Sequence, residues 1–187
     1  MSLLTTPSQT VGPYLRIGFL PLVAETIAPP GVPGERVTIR GRMSDGDGSP
    51  INDGVLEIWQ ADAQGKYAHP EGGQKSVAPN AFRGFGRILT DAGGAFHFTT
   101  IKPGPVAGPD GKQQAPHLVV TIFMRGMLRH LITRMYFPAE PLNATDAVLQ
   151  RVPADRRATL VAAAAEKSIL EWNIVSQGSA ETVFFDF

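Results

Sequence analysis

Three tyrosines, four histidines and no cysteine are the side chains from which this 187-residue chain could assemble metal or acid–base chemistry. Without Cys there are no disulfides, thiolate metal sites or thiol nucleophiles, so Tyr, His and carboxylates remain as possible ligands. They are Tyr14, Tyr67 and Tyr136, with His69, His97, His117 and His130. A second chemistry, recognition of an anion, is offered by Arg125, which stands directly before Gly126 where a strand runs out. A guanidinium there can favour an anionic substrate or order nearby polar groups by charge-assisted hydrogen bonds, although a lone Arg at a strand end is usually solvated. Gly12-Pro13 lets a backbone approach a ligand closely while fixing its direction, and Thr10 adds a hydroxyl that donates and accepts. A packed arm is the plainer reading of those three.

Such groups work only on a rigid frame, and the patterning here is that of strands. From Glu35 onward, branched or aromatic residues fall at alternate positions between turn dipeptides such as Asp45-Gly46, Asp47-Gly48 and Asp53-Gly54. In Arg36 to Met43, Val37, Ile39 and Gly41 face one way and Thr38, Arg40 and Arg42 the other. Further strands are expected at Val55–Gln60, Phe85–Leu89, Ala95–Ile101, Leu118–Met124, His130–Phe137, Ile169–Ser176 and Thr182–Phe187. About eight strands point to an all-β fold, an antiparallel β-sandwich. The Ala- and Leu-rich run near 153–167, opened by Pro153, reads as one short helix of about three turns.

Pro29-Pro30-Gly31-Val32-Pro33-Gly34 reads as a linker, because closely spaced prolines lack the amide donors of a sheet ladder. Residues 1–34 are therefore expected to form an N-terminal arm and linker, non-helical over Thr6 to Tyr14, ahead of a sandwich domain at 35–187. Seventeen basic residues balance seventeen acidic ones, so the positive field that nucleic acid or an anionic membrane surface calls for is missing. No stretch approaches the roughly 18 apolar residues of a membrane span. A soluble protein is expected, and the absence of Cys suits a reducing cytoplasm.

Across nearly the whole chain, ordered blocks of sequence resemble the intradiol ring-cleaving dioxygenases. The blocks are Thr6-Pro7-Ser8-Gln9-Thr10-Val11-Gly12-Pro13-Tyr14, the run from Leu56 to Tyr67, Phe85-Gly86-Arg87, Thr99 to Gly104 and Ala115-Pro116-His117. They continue through Phe123-Met124-Arg125-Gly126 and Leu131 to Phe137, and close on Glu181-Thr182-Val183-Phe184-Phe185-Asp186-Phe187, which is similar to the ending of the family's α-type chains. The resemblance implies a β-sandwich core, in agreement with the alternation.

In iron-binding members of the family the ferric ion is held by two Tyr and two His. Carried over block by block, Tyr67 matches the first Tyr, but Val106 stands where the second would follow Lys102-Pro103-Gly104-Pro105. His117 matches the first His, and Val119 replaces the second. An isopropyl group has no lone pair for a metal. His69, two residues after Tyr67, does not make up the number. Tyr67 and His117 are accordingly expected to be relics, hydrogen-bonded residues of a degenerate site, with no metal bound by this chain.

The resemblance further implies an Fe(III) cofactor carried by a β-type partner, the beta subunit of a higher αβ oligomer, and an active site near the interface of the two chains. The substrate implied is an aromatic small molecule, protocatechuate, opened by dioxygen between its hydroxyl-bearing carbons to a carboxy-muconate. Thr10, Gly12, Pro13 and Arg125 match the positions that the α-type chain places beside the pocket. Arg87 and Arg134 fall inside matching blocks but equally suit the charged face of a strand. A rival reading is a stand-alone, iron-free sandwich acting as a ligand-binding or assembly module.

Overall fold

Alternation makes strands here because one row of side chains is apolar and the other polar, so a two-sided sheet buries the first and wets the second. A computed structural model of the chain describes residues 4–68, 82–108 and 111–186. In order, its strands are Arg36–Ser44 (β1), Val55–Trp59 (β2), Phe85–Leu89 (β3), Ala95–Ile101 (β4), Val106–Ala107 (β5), Gln113–Gln114 (β6), His117–Phe123 (β7), Leu131–Tyr136 (β8), Ala163–Glu166 (β9), Ile169–Glu171 (β10) and Ile174–Val175 (β11). One sheet has the order β3-β2-β7-β8, antiparallel throughout. In the other, β1 pairs antiparallel with β4 on one edge and parallel with β10 and β11 on the opposite edge, while β9 extends β10. β5 and β6 form a separate two-stranded ribbon.

The two large sheets share one apolar cluster. Val37, Ile39, Met43, Phe96 and Phe98 from the first-named strands of one sheet meet Leu56, Ile58, Ile88, Leu118, Val120, Ile122 and Met135 from the other. The expected all-β sandwich is therefore the architecture, with two corrections. The second sheet is mixed rather than antiparallel, because β10 and β11 return alongside β1 after a long excursion of 3₁₀ turns between residues 141 and 160. Thr182–Phe187 makes no strand among its described residues and contributes a single bridge, Phe185 to Ile132.

The helix expected near 153–167 is not there. Only one 3₁₀ turn, Arg157–Leu160, forms, and Ala163–Glu166 is strand β9. Leu160 and Ala162 are buried, and the Ala162 amide donates to the Tyr136 carbonyl at 3.0 Å, which draws the segment out along β8. Sheet pairing and burial thus override the helix preference of alanine. The one α-helix among the described residues lies instead in the arm, at Gly12–Phe19 (α1), where a non-helical path was expected. Gly12 adopts φ +61°, which turns the chain into the helix, and Pro13 occupies the first turn, where an amide donor is not needed.

No residue of α1 is buried. The helix is held at its edges: Arg16 donates to the Thr90 carbonyl at 3.2 Å, and the Phe19 ring lies 4.1 Å from the Arg87 guanidinium carbon, which itself pairs with Glu57. Beyond it Ala24 bridges Arg87, Thr26 bridges Thr99, and Ile27 and Ala28 are buried, so the chain joins the sandwich before the proline-rich segment. Among the described residues no helix is long and apolar enough to cross a membrane.

Candidate functional site

The strand β7 carries a candidate group at each end. His117 and Val119 are two residues apart, so they share a face. It is the face turned away from the apolar cluster, which takes Leu118, Val120 and Ile122. Across the ladder His117 stands opposite Tyr136, and Val119 lies between Arg134 on β8 and Trp59 on β2. Tyr67 reaches the same place by stacking on Trp59, with ring centroids 6.2 Å apart and planes 8° from parallel.

The loop that delivers Tyr67 is clamped to the segment that delivers Val106. Asp62 accepts from the amides of Gln64 and Lys66 through its side chain, both at 2.9 Å, and from the amides of Gly65 and Gly104 through its carbonyl. Gly65 has φ +78°, and a Cβ there would lie 1.9 Å from the Pro105 carbonyl oxygen. Gly65→Ala is therefore expected to cost more than about 2 kcal/mol, because the backbone conformation and the space are both wrong for a side chain. Denaturant unfolding checks this, and a loss below about 0.5 kcal/mol would show that the clamp is loose.

Tyr67 thus stacks on Trp59, which stands opposite Val119, and Val119 stands opposite Arg134, while Val106 pairs with Gln114 in the ribbon. The Arg134 guanidinium donates to Gln114 Oε1 at 2.8 Å and reaches the Tyr136 hydroxyl at 3.5 Å. Tyr136 in turn donates to Asp146 at 3.0 Å, and its ring lies 5.8 Å from that of His117. Burial pushes the Tyr67 phenol up from its ordinary value, and the charge of Arg134 opposes that rise. Burial, then Arg134, push His117 down to about 4, against a smaller upward pull from the Ala115 carbonyl bonded to Nδ1 at 2.7 Å. Arg134 was set aside on sequence grounds as part of a charged strand face. Its even spacing from Tyr136 was the available signal, since residues two apart on a strand share a side.

The depressed His117 value fixes the sign of a pH effect. Unfolded His takes up a proton below about pH 6.5, whereas the folded, buried ring does not until about pH 4, so stability falls as pH falls through this window. Between pH 7.5 and 5 the loss is expected to be about 2 kcal/mol. Denaturant unfolding at the two pH values measures it, and His117→Asn should flatten the difference; an unchanged slope in that variant would assign the pH effect elsewhere.

At the other end of β7, the arm meets the loop after Phe123. The Thr10 hydroxyl oxygen accepts from the Gly126 amide at 2.8 Å and, more weakly, from the Gly12 amide at 3.3 Å. Next to this contact Asp53 Oδ2 accepts from the Arg125 amide at 3.2 Å and lies 3.3 Å from its Nε. Asp53 is 15% exposed and the Arg125 side chain 63%, so a nearly buried carboxylate anchors a guanidinium whose outer edge is in solvent. Val11, Phe123, Met127, Leu128, Arg129 and His130 line a hollow of about 150 Å³ alongside. Thr10, Gly12 and Arg125 are brought together; Pro13 opens α1 beside them on the exposed surface. Asp53, 72 residues from Arg125, was read from sequence only as part of a turn, and no local signal marks it.

The two groups do not share a site. His117 to Phe123 is six residues of extended chain, roughly 20 Å, and Arg125 lies further on. Whatever Thr10 and Arg125 serve, it is not this chain's own Tyr67 and His117.

Residues 25–178 match the family described as Dioxygenase. The protocatechuate 3,4-dioxygenase alpha chain of Burkholderia cepacia is 42% identical over 97% of this chain and 96% of its own length. The beta chain of the same organism's enzyme is 36% identical over 68% of this chain and 55% of its own. Among solved structures, the dioxygenase domain of a dioxygenase and carbohydrate-binding fusion from Streptomyces sp. SirexAA-E superposes with a TM-score of 0.61 at 27% identity, over 91% of this chain and 96% of that one.

Proposed function

This chain belongs to the intradiol ring-cleaving dioxygenases, and from that membership we propose that it is the alpha subunit of a protocatechuate 3,4-dioxygenase. In that role it supports oxygen-dependent cleavage of protocatechuate to 3-carboxy-cis,cis-muconate at an Fe(III) site held by a beta subunit. The observation that carries the reading is the separation of the two ends of β7. The degenerate centre holds Tyr67, His117 and two valines, while the polar groups suited to an anionic substrate sit roughly 20 Å away on an exposed loop and arm.

A ferric ion does not fit the residues at the degenerate centre. Val106 and Val119 supply no lone pair, and His117 spends Nδ1 on a carbonyl. The chemistry of this donor set supports the reading that the partner carries the cofactor.

Thr10, Gly12, Pro13 and Arg125 line the partner's substrate pocket. The Thr10 bond to Gly126 fixes the arm against the loop, and Asp53 fixes the root of the Arg125 guanidinium, leaving its outer edge for the substrate carboxylate or for polar groups around it. The partner covers the arm. Tyr14, Ile17, Leu20 and Leu22 are each more than half exposed, an apolar surface that a stable subunit contact would bury.

Co-production with the beta subunit, followed by metal analysis and oxygen uptake on protocatechuate, tests the proposal. The two chains should purify together with iron in proportion to the beta subunit, and uptake should need both. Failure to co-purify would favour the stand-alone module; uptake by this chain by itself would refute the division of labour.

A further inference from the structure

The arm that carries Thr10, Gly12 and Pro13 runs into α1, and α1 does not hold its own position. Eight residues, Gly18 among them, fall short of the length that keeps an isolated helix formed in water, and none of them is buried. The far end of the helix closes on a built seat. Arg87 on β3 stands opposite Glu57 on β2 and gives its carboxylate two hydrogen bonds, from Nε at 2.9 Å and Nη2 at 2.6 Å, with the two side chains only 16% and 24% exposed. A guanidinium held along its edge in this way keeps its flat face free, and the Phe19 ring covers that face at 4.1 Å, with the Phe85 ring at 5.3 Å. The Arg87 carbonyl also accepts from the Ala24 amide at 2.8 Å. A Cβ at the neighbouring Gly86 would come within 2.5 Å of Ile27 Cγ1 and 2.9 Å of the Ala24 carbonyl oxygen, so the chain leaving the helix lies directly against β3.

We propose that Arg87 is a positioning residue for the ring-cleaving reaction: clamped by Glu57, it seats Phe19 and, through α1, sets where Thr10, Gly12 and Pro13 lie at the partner's substrate pocket. The helix is a lever of about 12 Å, so a shift at its seated end carries over to Gly12. Nearer the pocket the ties are single hydrogen bonds, from the Gly126 amide to the Thr10 hydroxyl and from Arg16 to the Thr90 carbonyl. The arm is thus spanned between two anchors and loses its set position when either is cut. Arg87 touches no substrate group and acts through the aromatic ring it holds, a contact that partial burial strengthens.

This inference rests on the reading of Thr10 as a pocket residue, and the test separates the two. Oxygen uptake on protocatechuate is measured in the assembled complex, with iron counted per αβ pair in every variant. Thr10→Val should lower kcat/KM; a wild-type value there would refute the parent reading and this inference with it. Phe19→Leu, which keeps an apolar side chain but no aromatic face, should lower kcat/KM about tenfold at unchanged iron content, whereas Phe19→Trp should stay near wild type. Joining Phe19→Leu to Thr10→Val should cost little more than Phe19→Leu does, because a hydroxyl on a displaced arm no longer meets the pocket. Glu57→Gln with Arg87→Gln keeps a hydrogen-bonded pair without the cation, and should reproduce the Phe19→Leu loss with no further fall when the two are combined. With Thr10→Val impaired, any of three results would overturn the role of Arg87 and leave the pocket assignment standing: full activity in Phe19→Leu or in the amide pair, equal losses in Phe19→Leu and Phe19→Trp, or losses at Thr10 and Phe19 that multiply. If the amide pair prevents assembly, the Phe19 series decides the matter.

Discussion

In the assembled complex Arg125→Ala is expected to leave iron content unchanged and to lower kcat/KM for protocatechuate roughly 30- to 100-fold, the loss of one charge-assisted hydrogen bond of about 2–3 kcal/mol. The split between the two readouts follows from where the residue sits. Arg125 is at the far end of β7 from Tyr67 and His117, so its removal touches no residue of the degenerate centre. It does leave Asp53, 15% exposed, without its ion pair, and the loop then loses part of its fixed geometry along with the charge. Arg125→Lys should recover only part of the activity, because an ammonium keeps the charge without the planar fork. Oxygen-electrode kinetics decide it, and wild-type kcat/KM in the alanine variant would remove Arg125 from the pocket.

The largest stability effect is expected at Asp146, which no sequence reasoning singled out. Its carboxylate is fully buried and accepts four hydrogen bonds: from the Ala115 amide at 2.8 Å, the Tyr136 hydroxyl at 3.0 Å, the Val148 amide at 3.0 Å and the Leu149 amide at 2.8 Å. These tie the turn after residue 141 to β8 and to the approach to His117, beside the second apolar cluster of Tyr136, Leu149, Val152 and Leu160. Asp146→Ala strands four donors in a dry environment and should cost about 3–5 kcal/mol, enough to deplete the folded chain at 37 °C. Urea unfolding measures it; a cost under about 1 kcal/mol would mean that water or a neighbour takes over the donors.

What the sequence made legible was whatever depends on local alternation. Phe85–Leu89 and Ala95–Ile101 are strands with the bounds read from the pattern, and β1, β2, β7 and β8 begin and end within one residue of theirs. What it hid was decided by distant partners. Alanines 162–165 look helical until Tyr136 and β10 pair with that segment, and the arm looks extended although Gly12 and Pro13 together start a helix. At the candidate sites, residue types revealed the two valines, but not that Arg134 stands beside them, nor that Asp53 reaches Arg125 from 72 residues away. Those facts belong to sheet register and loop docking, which a period-2 pattern does not specify.

The division of labour between the two chains is tested most directly by iron analysis and visible absorption of this chain purified without its partner and then exposed to ferric iron. A colourless protein with no bound metal is the outcome required of a centre whose only donors are one phenol and one imidazole, with isopropyl groups at the other two positions. One tightly held ferric ion per chain, with a tyrosinate charge-transfer band lost in Tyr67→Phe, would contradict it.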